Sequence, residues 1–170
     1  MDGRTLLLIC GIGLTAIPAP AAPGNPPRLG ISSLSEVAVP ERPYDENANA
    51  DSMVESAFAR AQVAHKRVLI ELGGNWCADC RILAGVMALP ELRQFLEAHY
   101  VVVRVDVGRF NRNLQIPARF GITQRLEGVP SVLIADPDGT LVNKGHTAAL
   151  ADARSMTPQA IADWLAQWAS

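Results

Sequence analysis

The sequence predicts an α/β fold with a mixed central sheet covered by helices on both faces. Three observations predict it. Residues 68–72, Val-Leu-Ile-Glu-Leu, form a short and nearly continuous apolar run, as expected of a strand buried on both sides. Helical periodicities lie on either side of that run. A second, Val-rich strand and then a strand–turn–strand unit follow, so a βαβ half is completed by a hairpin and a last helix.

Taken in order, residues 51–65 place Met53, Val54, Ala57, Phe58, Ala61 and Val63 close to helical spacing. Good helix formers fill the gaps, and Asp51 or Ser52 can cap the start. The strand at 68–72 is broken by Gly73-Gly74-Asn75. Beyond Cys77, the residues Ile82, Leu83, Val86, Met87 and Leu89 return at helical spacing. Pro90 lacks an N–H and interrupts them, which predicts a kink or a restarted helix through Ala98. Residues 100–107 are dominated by Val and predict another strand. A polar loop at 110–115 leads to a short helix near 117–120, which Gly121 ends. Residues 131–135 predict a strand, Pro137-Asp138-Gly139 a turn, and 140–143 the second strand of a hairpin. Thr157-Pro158 opens the final helix, with Ile161, Trp164, Leu165 and Trp168 as its buried stripe.

Composition narrows the function. The chain has 170 residues, 49% of them apolar and 19% charged, with a formal net charge of −2. That is a globular composition with room for one domain and a real core. No basic face is available to neutralise phosphates, and aromatics are few, so nucleic acid is not an expected partner.

At the N-terminus, Arg4 precedes an apolar run from Leu6 to Ile17 and then Pro18-Ala19-Pro20-Ala21-Ala22. This is the pattern of a secretory signal peptide, expected over residues 1–22, and the run is too short to span a bilayer. Leu8-Ile9-Cys10 has the outline of a lipidation signal, but bulky Ile9 stands where a small residue belongs, so a lipid anchor at Cys10 is the lesser reading. Residues 23–43, rich in Pro and Ala, read as a linker or irregular arm, and 44–170 as the domain. Of three cysteines, Cys10 would leave with the signal, which leaves Cys77 and Cys80 in a disulfide-permissive compartment. A structural framework would use more cysteines at wider spacing, so one close pair points to a reactive disulfide.

The chemistry rests on Trp76-Cys77-Ala78-Asp79-Cys80, which follows a buried strand and opens a helix. A helix N-terminus offers unpaired N–H groups and a positive dipole end, both of which stabilise a thiolate. The thiolate is the nucleophile, so an exposed Cys77 becomes the attacking group. The spacing puts Cys80 one turn further in, within reach of a mixed disulfide formed at Cys77.

From about residue 51 to residue 168 the chain resembles the thioredoxin superfamily. Residues 76–80 look like its WCxxC site, and Val129-Pro130, just before a strand, looks like its cis-proline. The flanking pattern from 68 to 106 is similar to the exported, disulfide-reductant type, with Leu89-Pro90-Glu91-Leu92 at the kink. The resemblance implies a thioredoxin fold, a protein-disulfide oxidoreductase and no cofactor. It also implies that Glu71, six residues before Cys77, takes the proton of the second cysteine. Implied partners are the disulfides or thiols of exported proteins, with a membrane or soluble thiol electron donor, in the periplasm or another extracytoplasmic space. Ala78-Asp79 stands where cytosolic thioredoxins have Gly-Pro, Arg81 stands where a Lys is common, and the connection from 107 to 117 is longer than in the smallest members.

Each assignment has a plainer competitor. A CxxC pair can be half of a zinc site, but no second half exists and His65, His99 and His146 are scattered. Glu71 can be a solvated strand-end charge, though its place in an apolar run favours a paired or functional group. Arg104 in the next strand is either its partner or a surface residue. Pro130 can be an ordinary turn proline. A cis bond there would expose the Val129 backbone, where an extended substrate could pair as an added strand. Trp76 at this rim reads as packing and shielding, and Trp164 and Trp168 as core. Asp79 and Glu71 place negative charge near the sulfurs and oppose the thiolate, while the helix dipole and Arg81 favour it. The balance tilts toward a reductant. The alternatives are a disulfide oxidase or isomerase, or a non-catalytic peptide-binding module on the same fold.

Overall fold

The computed structural model describes residues 24–169, and the expected signal segment and Cys10 lie outside them. Eight regular elements follow in order: α1 (Ala50–Ala64), β1 (Arg67–Gly73), α2 (Ala78–Met87), α3 (Pro90–His99), β2 (Tyr100–Asp106), α4 (Gln115–Ala118), β3 (Ser131–Ala135) and α5 (Pro158–Ala166). The sheet order is β2-β1-β3, with β1 parallel to β2 and antiparallel to β3. The fold is the expected mixed, helix-covered α/β sheet.

Alternation along β1 assigns its two faces. Val68, Ile70 and Leu72 pack with Val103 and Val105 of β2 under Val54, Ala57 and Ala61 of α1. Leu69 joins Val132 and Ile134 of β3 on the opposite face, under Leu83, Val86, Leu92, Leu96, Ile161 and Leu165 from α2, α3 and α5. Glu71 belongs by parity to this second face, and its register partner on β2 is Arg104. The two charges are therefore cross-strand neighbours, each flanked along its own strand by apolar residues. At the other end of β1, Arg67 donates to Asp136 at 2.8 Å and to the Trp168 carbonyl at 2.6 Å, tying β3 and the chain end to the strand.

Several expectations are refined. Asn49, not Asp51 or Ser52, caps α1, accepting from the Ser52 N–H at 3.0 Å. Val63 is 84% exposed and does not belong to the buried stripe. Pro90 restarts the helix: Leu89 is extended at φ −57° and ψ 135°, and Pro90 is the first residue of α3. Proline excludes the preceding residue from helical geometry and lacks the N–H that a first-turn position leaves unused. The short helix lies at Gln115–Ala118, slightly earlier than predicted. Trp164 and Trp168 are half-buried at the edge of the core, in edge-on contact at 6.0 Å, while Ile161, Ala162 and Leu165 are fully buried.

The hairpin departs most from expectation. Its turn forms, with Asp136 N–H donating to the Thr140 carbonyl at 2.9 Å. The returning segment makes only an isolated bridge, Ala135 with Leu141, instead of a strand. Beyond it, the wholly buried Asn143 side chain does the pairing, accepting from Ile134 N–H at 2.9 Å and donating to the Val132 carbonyl at 2.8 Å.

Residues 24–49 contain one 3-10 turn, Leu34–Glu36, closed by a Ser33–Glu36 capping box. They lie against the domain. Leu29, Ile31 and Leu34 pack on the α2–α5 face, and Val37 is buried there. A Cβ at Gly85 would lie 2.8 Å from Val37 Cγ1, so α2 and the arm approach in a way only glycine permits. The arm ends with Tyr44, 3% exposed, beneath the end of β1.

Candidate active site

Gly73 ends β1, and Gly74-Asn75-Trp76 turns the chain into α2. Cys77 is the N-cap of α2, with extended backbone at φ −88° and ψ 117°. Its sulfur accepts from the Cys80 N–H at 3.1 Å, so one of the unsatisfied amides of the helix start points at that sulfur. Cys77 and Cys80 form a disulfide with Cα atoms 5.3 Å apart. Cys77 is 5% exposed and Cys80 is fully buried. The expected open first cysteine is thus largely enclosed, though it is the more accessible of the pair.

What encloses it is the segment before β3. The Cys77 sulfur lies 3.4 Å from the Val129 carbonyl oxygen, and the Val129–Pro130 peptide bond is cis. A Cβ at Gly128 would come within 2.8 Å of the Ala151 Cβ, so this turn sits tightly against the loop before α5. A shallow groove over Cys77 is lined by Trp76, Phe110, Glu127, Val129, Ala149 and Arg154.

Trp76 is 43% exposed, so it forms part of the rim more than it packs. Its Nε1 donates to the Gly108 carbonyl at 2.7 Å, and its ring meets Phe110 edge-on at 6.2 Å. The guanidinium of Arg109 lies 4.8 Å from the Trp76 ring and that of Arg125 lies 4.5 Å from Phe110, so two cations stack on the rim's aromatic faces. The long connection after β2 builds this rim through left-handed turns at Gly108, Phe110 and Asn113.

Charge near the sulfurs is compensated more fully than the sequence suggests. Arg154 donates to Asp79 from its backbone N–H at 2.9 Å, from Nε to both carboxylate oxygens, and from Nη2. Burial alone would lift the Asp79 carboxyl, but the hydrogen bonds and charge of Arg154 outweigh it and hold the group below its ordinary value. Ala78 completes the first turn of α2 beside it. Arg81 donates from Nε to the Pro40 carbonyl at 3.0 Å, which ties its side chain to the arm.

Glu71 is fully buried and doubly bonded. Arg104 Nε donates to Oε2 at 2.7 Å and the Tyr44 hydroxyl donates to Oε1 at 2.6 Å. Arg104 is therefore its partner, with about a third of its side chain still exposed at the sheet edge. Burial pushes the Glu71 carboxyl up, against the opposing pull of Arg104 and of the Tyr44 hydrogen bond. Burial and the neighbouring Glu71 charge push the Tyr44 hydroxyl far up as well, so it stays protonated.

Sequence reading alone did not find Tyr44 or Arg154. Both come from irregular segments with no periodicity to assign them, and a lone aromatic or arginine there carries no positional signal.

Comparison with known proteins agrees with this geometry. The family described as Thioredoxin-like matches residues 49–137. The thiol:disulfide interchange protein DsbD 1 of Pseudomonas aeruginosa is 30% identical over 97 residues, covering 55% of this chain and 15% of that protein. A thioredoxin of Alicyclobacillus acidocaldarius is 31% identical over 71 residues, covering 42% of this chain and 63% of the relative. The chain thus spans less than two thirds of either curated relative. A crystal structure of a disulphide isomerase from Xylella fastidiosa superposes with a TM-score of 0.68 at 36% identity, covering 73% of this chain and 94% of that one. The family model spans more than half of this chain, and with a disulfide-bonded CxxC at the start of a helix the chain belongs to the thioredoxin-like family.

Proposed function

We propose that this chain reduces disulfides in exported proteins, with Cys77 attacking the substrate and Cys80 resolving the mixed disulfide. The observation that carries this reading is the position of Glu71: a wholly buried carboxylate on the face of the sheet that α2 covers, raised by its burial. A base on the sheet face beneath α2, the helix that carries the second cysteine, serves the step that completes a reduction, when a buried thiol must lose its proton to attack Cys77. In this reading Val129 offers its backbone to an extended substrate segment and Trp76 flanks it. The signal-like N-terminus and the likeness to a thiol:disulfide interchange protein support an extracytoplasmic site of action. A thiol donor, soluble or in the membrane, would return the pair to its dithiol form.

A second reading, disulfide isomerase, is favoured by the likeness to the Xylella fastidiosa protein and by the compensation of Asp79 by Arg154. That compensation removes part of the negative charge that would hold the pair at a reducing potential.

Equilibration of the mature protein with glutathione buffers separates the readings. A reduction potential near about −270 mV supports a reductant, and one near about −180 mV supports an isomerase. A value near about −120 mV would make the protein an oxidant. Substitution of Cys80 by Ser should trap substrate proteins as stable mixed disulfides on Cys77, and failure to trap any would overturn the assigned roles.

A further inference from the structure

Tyr44 reaches the site from outside the sheet, as the last buried residue of the arm. Asn75 holds it on both sides, accepting from the Tyr44 N–H at 3.0 Å and donating to its carbonyl at 3.0 Å. Asn75 is two residues before Cys77, so the loop that presents the reactive cysteine also fixes the tyrosine.

The far end of the ring neighbours both the carboxylate and the second sulfur. Each oxygen of Glu71 already has a donor, Tyr44 on one and Arg104 on the other. Gly73 shows that Tyr44 also faces Cys80. A Cβ built on Gly73 would lie 2.7 Å from Tyr44 Cζ and 2.8 Å from Cys80 Sγ, and the hydroxyl oxygen is closer to that point than Cζ is. Oxygen and sulfur are therefore no more than about 5.5 Å apart, within the reach of a one-water bridge or a small sulfur movement. The charged and titratable groups around the hydroxyl are Glu71 of β1, Arg104 and Asp106 of β2, and Cys80 of α2.

The geometry points to the Tyr44 hydroxyl as the carrier of the proton between Cys80 and Glu71, an inference that rests on the role proposed above for Glu71. When Cys77 is joined to a substrate sulfur, the Cys80 thiol gives its proton to the Tyr44 oxygen as the hydroxyl proton passes to Glu71. The tyrosine is never left as an anion. The freed electron pair on the Cys80 sulfur forms the Cys77–Cys80 bond, and the bond from Cys77 to the substrate sulfur breaks. The substrate leaves as a thiolate that solvent protonates. The substrate disulfide has gained two electrons and the enzyme dithiol has lost them. When a donor thiolate later attacks Cys77, the proton returns from Glu71 through Tyr44 to the departing Cys80 sulfur.

The test is single-turnover release of a chromogenic thiol from its mixed disulfide with Cys77, from about pH 6 to about pH 9, a span that includes the ordinary thiol value near about 8.5. Tyr44→Phe keeps the ring and removes the hydroxyl. It should slow release about tenfold or more at neutral pH, with the deficit closing at the alkaline end, where bulk base takes the proton. The attack rate of Cys77 should not change. Release at the wild-type rate in Tyr44→Phe but slow release in Glu71→Gln would overturn the relay and leave the Glu71 role intact. Wild-type rates in both variants would remove the Glu71 role and the relay with it. Equal slowing at every pH would make Tyr44 a packing residue only. A measurement on the unsubstituted protein stands beside these: release in mixed light and heavy water should depend on deuterium fraction along a bowed curve, as two protons in flight require. A straight line would overturn the relay.

Discussion

Arg154 and Asp79 are bonded through both the backbone N–H and the guanidinium of the arginine, across 75 residues of sequence. Asp79 stands between the two cysteines, so this contact ties the first turn of α2 to the loop before α5. It also decides how much of the aspartate's charge the Cys77 sulfur feels. Arg154→Ala should leave Asp79 ionised but uncompensated, raise the pKa of the Cys77 thiol and slow its alkylation at neutral pH by about two- to fivefold, as expected for a pair with one exposed partner. Iodoacetamide alkylation of the reduced protein against pH measures this directly. An unshifted profile would mean that the pair acts only as a structural tie.

The buried Glu71–Arg104 pair makes stability depend on pH with a definite sign. Burial raises the Glu71 carboxyl above its ordinary value of 4.5 in the folded protein. Between that value and the raised one, the folded state binds more protons than the unfolded state, so its stability falls as pH rises through this window. Glu71→Gln should flatten this part of the stability–pH curve. Arg104→Ala should steepen it, because the carboxylate then charges with no partner, at a cost near about 3 kcal/mol at neutral pH. Urea unfolding at a series of pH values tests both, and a wild-type curve that rises through the window would refute the raised carboxyl.

Much of the fold was legible because its signals are local. The run at 68–72 is apolar for a strand buried on both faces, Pro90 must kink a helix or restart it, and Thr157-Pro158 is both cap and first residue of α5. The helix-start position of Cys77 could be read for the same reason. Val63 falls outside the buried stripe and the two tryptophans pack at the edge of the core, because a helical stripe marks a broad face and not the depth of each residue on it. Of the residues that support the site, Arg104 was legible as a candidate partner of Glu71, and three others were not. Tyr44, Asn75 and Arg154 act through contacts that span 27, 31 and 75 residues, and nothing in their immediate neighbourhood encodes the partner.

The missing hairpin strand has the same origin. Residues 140–143 carry a turn signal before them, but Asn143 satisfies the backbone of β3 with its side chain, a role no propensity scale marks. Asn143→Ala would leave Ile134 N–H and the Val132 carbonyl buried without partners. At about 1–3 kcal/mol for each unsatisfied group, the loss should total about 2–6 kcal/mol. The redox behaviour of the molecules that remain folded should not change. Chemical unfolding together with a single-turnover assay would separate the two effects, and a loss below about 1 kcal/mol would show that another group takes over the pairing.

Gly73 gives the sharpest steric prediction, because the Tyr44 and Cys80 side chains share the space above it. An added Cβ would stand 2.7 Å from the Tyr44 ring carbon and 2.8 Å from the Cys80 sulfur. Both neighbours are held, the tyrosine by Asn75 at its backbone and Glu71 at its hydroxyl and the sulfur by its place in α2, so neither can yield freely. Overpacking of this kind costs roughly 1–3 kcal/mol, and Gly73→Ala should destabilise the oxidised protein by that amount. If the strain is shared with the tyrosine, the penalty should shrink by at least about 1 kcal/mol when Gly73→Ala is made in a Tyr44→Ala background. A double-mutant cycle on unfolding free energies measures that coupling. Equal penalties in the two backgrounds would place the clash on Cys80 alone and would move Tyr44 away from the sulfur.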